Sequence, residues 1–436
     1  MKIPYTKHTL QNGLDVLVHE DHGVPIVAVS IWYHVGSKNE VPGRTGFAHL
    51  FEHLMFEGSQ HYDRGYFHPL QEAGASLNGS TNADRTNYWE VVPSNALELA
   101  LWMESDRMGY LLPALTDAKF ENQRDVVLNE RRQNYENRPY GLAGMAIVDA
   151  LYPPDHPYHW LTIGAAADLH AARIDDVRAF FTQYYHPGNA SLAMAGDVDV
   201  RAAIELAARY FGPIPGAPRP APVSAAVPPP PEQEIRLMLE DRVELPRIYM
   251  AWHSPALFSD GDAELDLVAE LLGSGKTSRL YRALVYEQRI ATEVAASQNS
   301  RELGSFFQIV ATAAPGRMLA EVERSITREL AALAERGPTP GELERCLAQA
   351  EAHFIYRLQT VGGFGGKSDQ LNAYNTFLGD PGYFGRDLER YRNATVEKLR
   401  DASARYLVPP QRVILSVVPR GRLGLALEHS RPVAVS

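Results

Sequence analysis

The sequence predicts an α+β protein built as two similar domains. Two observations carry this: each half opens on strand-like runs and continues into long helical periodicities, and a proline-dense stretch separates the halves. Nine of the thirty prolines lie between Pro213 and Pro231, ending in Pro228-Pro229-Pro230-Pro231. Proline removes amide donors and favours extended polyproline II, so this stretch predicts a semi-rigid linker. The expected organisation is a first domain over 1–215, a linker over 216–231 and a second domain over 232–436.

In the first half, Asn12-Gly13 is a turn signal and Leu14-Asp15-Val16-Leu17-Val18-His19 alternates behind it as a strand. A second strand is predicted between Pro25 and Val35. A helix follows Thr45, then a strand over Thr86–Val92, helices over Asn95–Met108 and Thr116–Tyr135, and a strand over Asn189–Ala195. The second half repeats the order with strands over Glu234–Leu239 and Arg247–Trp252. Helices are expected over Ala263–Leu272, Ser278–Gln288, Met318–Glu335 and Pro340–Leu358, and a closing strand over Val413–Val418. The matching order suggests a duplicated domain.

Composition narrows the function classes. The 436 residues carry 42 Lys and Arg against 53 Asp and Glu, a net charge of −11, which disfavours nucleic acid or acidic membrane as a partner. One cysteine, Cys346, rules out an internal disulfide framework and a cysteine-based zinc cluster. No apolar run approaches the ~20 residues of a membrane span. The opening Met1-Lys2-Ile3-Pro4-Tyr5 lacks the apolar core of a signal peptide, so the expectation is a soluble chain, cytoplasmic as written and periplasmic if a leader has been trimmed.

His49-Leu50-Phe51-Glu52-His53 carries the chemistry. Residues four apart share a helix face, so His49 and His53 can aim both imidazoles at one metal ion, and neutral imidazole suits zinc. Glu52 stands beside the second ligand, placed to take a proton from an attacking water. A catalytic zinc needs a third protein ligand. The helix over 116–135 offers Glu121, Asp125 and Glu130, among which the pattern does not choose.

The His-x-x-Glu-His order resembles the inverted zincins, the pitrilysin and mitochondrial-processing-peptidase family of metallopeptidases. In that family a glutamate some 76 residues beyond the second histidine completes the site, and 76 residues separate His53 from Glu130 here. The resemblance therefore implies Glu130 as third ligand and one zinc per chain. It extends along the chain through Leu10-Gln11-Asn12-Gly13-Leu14, Gly43 to Ala48, Tyr185 to Asn189 and Gly196-Asp197-Val198. Gly273 to Leu280 is similar to the smaller two-domain bacterial members. It implies mixed or antiparallel sheets covered by helices, with the chain forming half of a clamshell. Asn78 and Gly79, within the small polar run Ala75 to Asn82, are implied on the edge strand that pairs with an extended substrate.

Two positions depart from the family pattern. A second glutamate common seven residues before the ligand is here Gln123, which can support the site by hydrogen bonding and cannot act as a base. An Arg and a Tyr that the later domain of active relatives supplies are replaced at the aligned positions by Val285 and Thr292, with Tyr281, Arg282 and Tyr286 nearby as substitutes.

The motif and the resemblance lead to the expectation of a zinc metalloendopeptidase acting on short or unfolded peptides in a closed chamber, and the missing Arg and Tyr to that of a partner. The chain would be the zinc-bearing subunit of a heterodimer whose homologous partner lacks zinc ligands and supplies Arg and Tyr, with a homodimer as the alternative. A non-catalytic core or scaffold subunit of the same fold is the second reading; all four of His49, Glu52, His53 and Glu130 argue against it. Gly275-Lys276-Thr277 fails the phosphate-loop pattern because Glu270 stands where glycine is needed. Gly362-Gly363-Phe364-Gly365-Gly366 is read as a flexible hinge, a chamber lining or a plain loop, and the His156/His159 pair as structural.

Overall fold

Two sheets of six strands each organise the chain in a computed structural model, which describes residues 1–225 and 231–434. Pro228, Pro229 and Pro230 of the expected linker lie outside the described residues. The first sheet contains β1 (Thr6–Thr9), β2 (Asp15–Glu20), β3 (Ile26–Tyr33), β4 (Ser76–Thr81), β5 (Thr86–Pro93) and β6 (Ala190–Gly196), in the spatial order β1-β2-β6-β3-β5-β4. The second contains β7 (Ile235–Asp241), β8 (Arg247–Ser254), β9 (Ala291–Asn299), β10 (Ser305–Ala313), β11 (Val413–Pro419) and β12 (Arg431–Pro432), in the order β12-β7-β11-β8-β10-β9. Both are mixed sheets: β2–β6 and β7–β11 pair parallel, while the three pairings that follow in each sheet are antiparallel. The topologies differ only in the outermost pair, antiparallel for β1–β2 and parallel for β12–β7. The fold is thus α+β with an internally repeated architecture.

The chain forms two compact units, and neither is continuous in sequence. The first comprises Met1–Asn129, Thr162–Val223 and His353–Arg386; the second comprises Glu130–Leu161, Ser224–Ala352 and Asp387–Ser436. The division passes through one continuous helix, Asp117–Arg131. Each sheet comes from one half of the sequence, but each unit takes a helical segment from the other half. The start of the expected linker, through Val223, packs with the first unit: a Cβ at Gly216 would come within 2.2 Å of the Asn12 carbonyl oxygen.

In the first unit the helix Lys367–Leu378 lies on β2, β3 and β6. Its contact is polar. Asp369 accepts from Trp32 Nε1 at 2.8 Å and Asn87 Nδ2 at 3.1 Å; Asn372 donates to the Ser30 carbonyl at 2.9 Å; Asn375 donates to Asp15 and Ser191 at 3.0 and 2.9 Å. These residues recur every three positions and so share one helix face. The glycine-rich run before this helix is seated on the sheet at Gly362. A Cβ at Gly362 would come within 2.4 Å of Ala28 Cβ, and Gly363 and Gly365 hold φ of 81° and 78°.

In the second unit Ile248, Met250, Trp252, Leu265, Val268, Phe307, Leu330 and Ile414 lie in one buried core. The helix Ala143–Leu151 packs on β8 and β11 there. The expected helix over Ser278–Gln288 contains a wide turn, Tyr281–Glu287, in which the Gln288 amide reaches back five residues to the Ala283 carbonyl. A similar wide turn, Arg132–Glu136, ends the helix predicted over 116–135. His156 and His159 are held in loop packing: His156 stacks on Tyr152 and its Nδ1 accepts from the Tyr158 amide, while His159 Nδ1 contacts the Tyr152 carbonyl.

Candidate metal centre

The histidine motif lies on the helix Phe47–Leu54. Gly46, at φ 89°, precedes its first turn, and the Glu40 carboxylate accepts from the Gly46 and Ala48 amides at 2.9 and 2.8 Å. That carboxylate satisfies amide donors a helix start leaves open and complements its positive end. Leu50, Phe51 and Leu54 are buried, and Phe51 stacks on Phe180 at 5.7 Å between ring centroids. This apolar anchoring fixes the face that carries His49 and His53, whose rings lie 4.8 Å apart at 88°.

The helix Asp117–Arg131 is anchored by Phe120, Val127 and Leu128, all buried. Glu121 and Asp125 are exposed on it, whereas Glu130 is half-buried. One donor atom from each of His49, His53 and Glu130 lies within 4.8 Å of the other two, and among the described residues no other group of three or more such ligands is found. Two imidazoles and a carboxylate form a donor set that suits a catalytic zinc. Burial, followed by the neighbouring His53, lowers the His49 pKa to about 4, which keeps its imidazole neutral and able to ligate at neutral pH.

Glu52 is half-buried on the same helix. Gln123 is buried, and its amide donates to the Glu57 carboxylate. Asn78 is exposed on β4, the outer strand of its sheet, with its Oδ1 accepting from the Gly79 amide at 2.8 Å. Gly79 faces Tyr88 and Phe56, where a Cβ would come within 2.9 and 3.1 Å of their rings. Of the positions discussed for the absent Arg and Tyr, Val285 packs against the second unit's core, Arg282 pairs with Glu287 at 2.8 Å, and Tyr286 is 75% exposed.

Sequence reasoning passed over three residues within electrostatic reach of Glu52. Tyr88 and Tyr185 are fully buried phenols whose pKa values burial raises first and the Glu52 charge raises further. Arg85 loses basicity through burial, while the Asp369 and Glu52 carboxylates act in the opposite direction. Its Nη1 donates to the Ser80 carbonyl at 2.8 Å, tying the β4–β5 turn. An arginine in a short polar turn beside a buried strand was the available signal, but the Glu52 and Asp369 carboxylates that act on it are distant in sequence.

Residues 15–152 match the family model described as insulinase (peptidase family M16), and residues 172–350 match the model described as the peptidase M16 inactive domain. The chain belongs to peptidase family M16. His49, Glu52, His53 and Glu130 all fall within the first match; the segment matched by the inactive-domain model contains none of them. A Helicobacter pylori protein named zinc protease PqqE is 29% identical over 362 residues, 82% of this chain and 81% of that protein. The Saccharomyces cerevisiae mitochondrial-processing peptidase subunit beta is 25% identical over 51% of this chain and 48% of its own length.

A crystal structure of a protease from Helicobacter pylori superposes with a TM-score of 0.88 at 26% identity, covering 95% of this chain and all of that one. The periplasmic protease PqqL from Escherichia coli shares the fold with a TM-score of 0.76 at 18% identity. That match covers 98% of this chain and 50% of PqqL. Family M16 membership and the M16 half-molecule fold follow from these matches. Among the described residues no helix is long and apolar enough to cross a membrane.

Proposed function

We propose that the chain is a zinc-dependent endopeptidase of family M16 that cleaves extended peptides. The observation that carries this reading is the convergence of His49, His53 and Glu130 donor atoms within 4.8 Å, with Glu52 on the same helix as the histidines. His49, His53 and Glu130 would hold the metal. Zinc when bound would polarise the scissile carbonyl and lower the pKa of a water to about 7. Glu52 takes a proton from the attacking water and passes it to the departing amine nitrogen. Gln123 supports the site indirectly through Glu57.

The free edge of β4 supports substrate pairing. Asn78 and Gly79 present backbone to an added strand, which gives affinity from main-chain hydrogen bonds with little demand on side chains. A homologous second subunit is the proposed partner, supplying the Arg and Tyr that Val285 and Thr292 replace. The match to half of PqqL's length supports pairing of two such halves.

The test is turnover of a quenched fluorogenic peptide by the zinc-loaded chain, alone and with its homologous partner. Glu52→Gln is expected to lower kcat by at least about a hundredfold, the scale of general-base catalysis, with zinc content unchanged. Equal turnover by the variant would refute the role of Glu52.

A further inference from the structure

We infer that Trp89 and Phe364 form a specificity subsite for an aromatic or large aliphatic side chain of a peptide paired with β4. This rests on the strand-pairing reading above and adds a side-chain preference to it. Trp89 is the cross-strand partner of Asn78 on one side and of Ser30 on the other. Side chains opposite one another share a sheet face, so Ser76, Asn78 and Ser80 of β4 lie on the face of Trp89. All three are short. Trp89 itself stays partly exposed.

Phe364 completes the wall. Its ring meets Trp89 edge to face, with centroids 5.5 Å apart and an interplanar angle of 85°, yet it remains 51% exposed. A large exposed aromatic ring is held here by a backbone with little freedom to withdraw it. Gly362 is pressed against Ala28 and Val91, the Gly365 amide donates to Asp369 Oδ2 at 2.7 Å, and the Gly366 amide donates to the Gly363 carbonyl at 3.2 Å. Asp369 is fixed in turn by Trp32 and Asn87. The Trp89 Nε1 atom is shielded from solvent without a hydrogen-bond partner, so the ring is not placed there to satisfy its polar edge.

A strand added beside β4 would project alternate side chains onto this same face. The one opposite Asn78 would lean over that short residue towards the aromatic pair. Its apolar surface would leave water against two rings that favour edge-to-face or offset contact.

Equilibrium binding separates this inference from the peptidase reading. Fluorescein-labelled extended peptides of a scanning series, each carrying Phe or Ala at one position, are titrated by anisotropy into the zinc-loaded Glu52→Gln chain. At one position the Phe peptide is expected to bind about fivefold tighter, the size of one aromatic contact. Phe364→Ala should bring that ratio close to one, while Leu423→Ala, another exposed apolar residue, should keep it. Persistence of the preference in Phe364→Ala, absence of any preference, or absence of peptide binding would overturn the subsite. Peptides bound with the predicted preference but cleaved by the wild-type chain neither alone nor with its homologous partner would uphold the subsite and refute the peptidase.

Discussion

Glu90 lies fully buried on β5 beside Glu104, and Glu104 is held by the Arg107 guanidinium, with Nε donating to Oε2 at 2.9 Å. Arg107 in turn stacks over Tyr66 and Tyr88 at 4.0 and 4.1 Å. Burial, then the Glu104 charge, raises the Glu90 carboxyl well above its ordinary 4.5, so it keeps its proton to higher pH in the folded chain than in the unfolded one. The unfolded chain releases that proton above about pH 4.5, so the contribution to stability is complete below that pH and is lost as pH rises. Glu90→Gln keeps the neutral shape without the linkage. Its stability relative to wild type should therefore increase between about pH 5 and about pH 8, by up to about 1.4 kcal/mol per pH unit. Urea unfolding at both pH values checks this; a difference independent of pH would mean that Glu90 is ionised in the fold. None of this cluster was legible in the sequence, where Glu90 is one polar residue in a strand pattern. The metal motif was legible because helix geometry makes i,i+4 histidines neighbours.

At the scale of elements, the glycine-rich run and the helix Lys367–Leu378 form one seated piece. Gly362→Ala should destabilise the chain by roughly 1–3 kcal/mol, the usual cost of overpacking, because its Cβ would press on Ala28 and Val91. A thermal melt checks it, and an unchanged midpoint would show that the loop can lift. The sequence left a hinge, a chamber lining and a plain loop open here because glycine is permissive, and the same absence of a side chain allows close approach to a sheet. Strands such as β3 and β6 were readable from their apolar runs. The helix Lys367–Leu378 was not, since Asp369, Asn372 and Asn375 give its packed face a polar pattern, and Trp32 is 337 residues from its partner Asp369. The Pro340–Arg357 helix shows the opposite case. It was expected over Pro340–Leu358, and Thr339 and Glu342 form a capping box at its start, with the Thr339 amide donating to Glu342 at 2.8 Å and the Glu342 amide donating to Thr339 Oγ1 at 3.3 Å.

At the scale of the whole molecule, the two units exchange helical segments between the sequence halves. A break near the proline-rich stretch therefore does not release a complete first unit, although the change in composition there invites that reading. Residues 1–225 expressed alone lack the helix that covers β2, β3 and β6. They should show no cooperative melt and should bind a hydrophobic dye, and co-expression with 231–436 should restore a cooperative transition; an independently cooperative fragment would show that the exchanged helix is dispensable. The repeated strand order explains why a duplication was visible as a sequence of elements, while divergent residues hid it position by position. Only the first repeat carries the His49, His53 and Glu130 ligand group. The most direct test of the central claim is competitive zinc titration of the intact chain. One tight site is expected in the wild type, with loss of tight binding in His49→Ala and Glu130→Gln and retention in Glu121→Gln. A wild-type chain without a stoichiometric site, or undiminished binding in both ligand variants, would contradict the assignment.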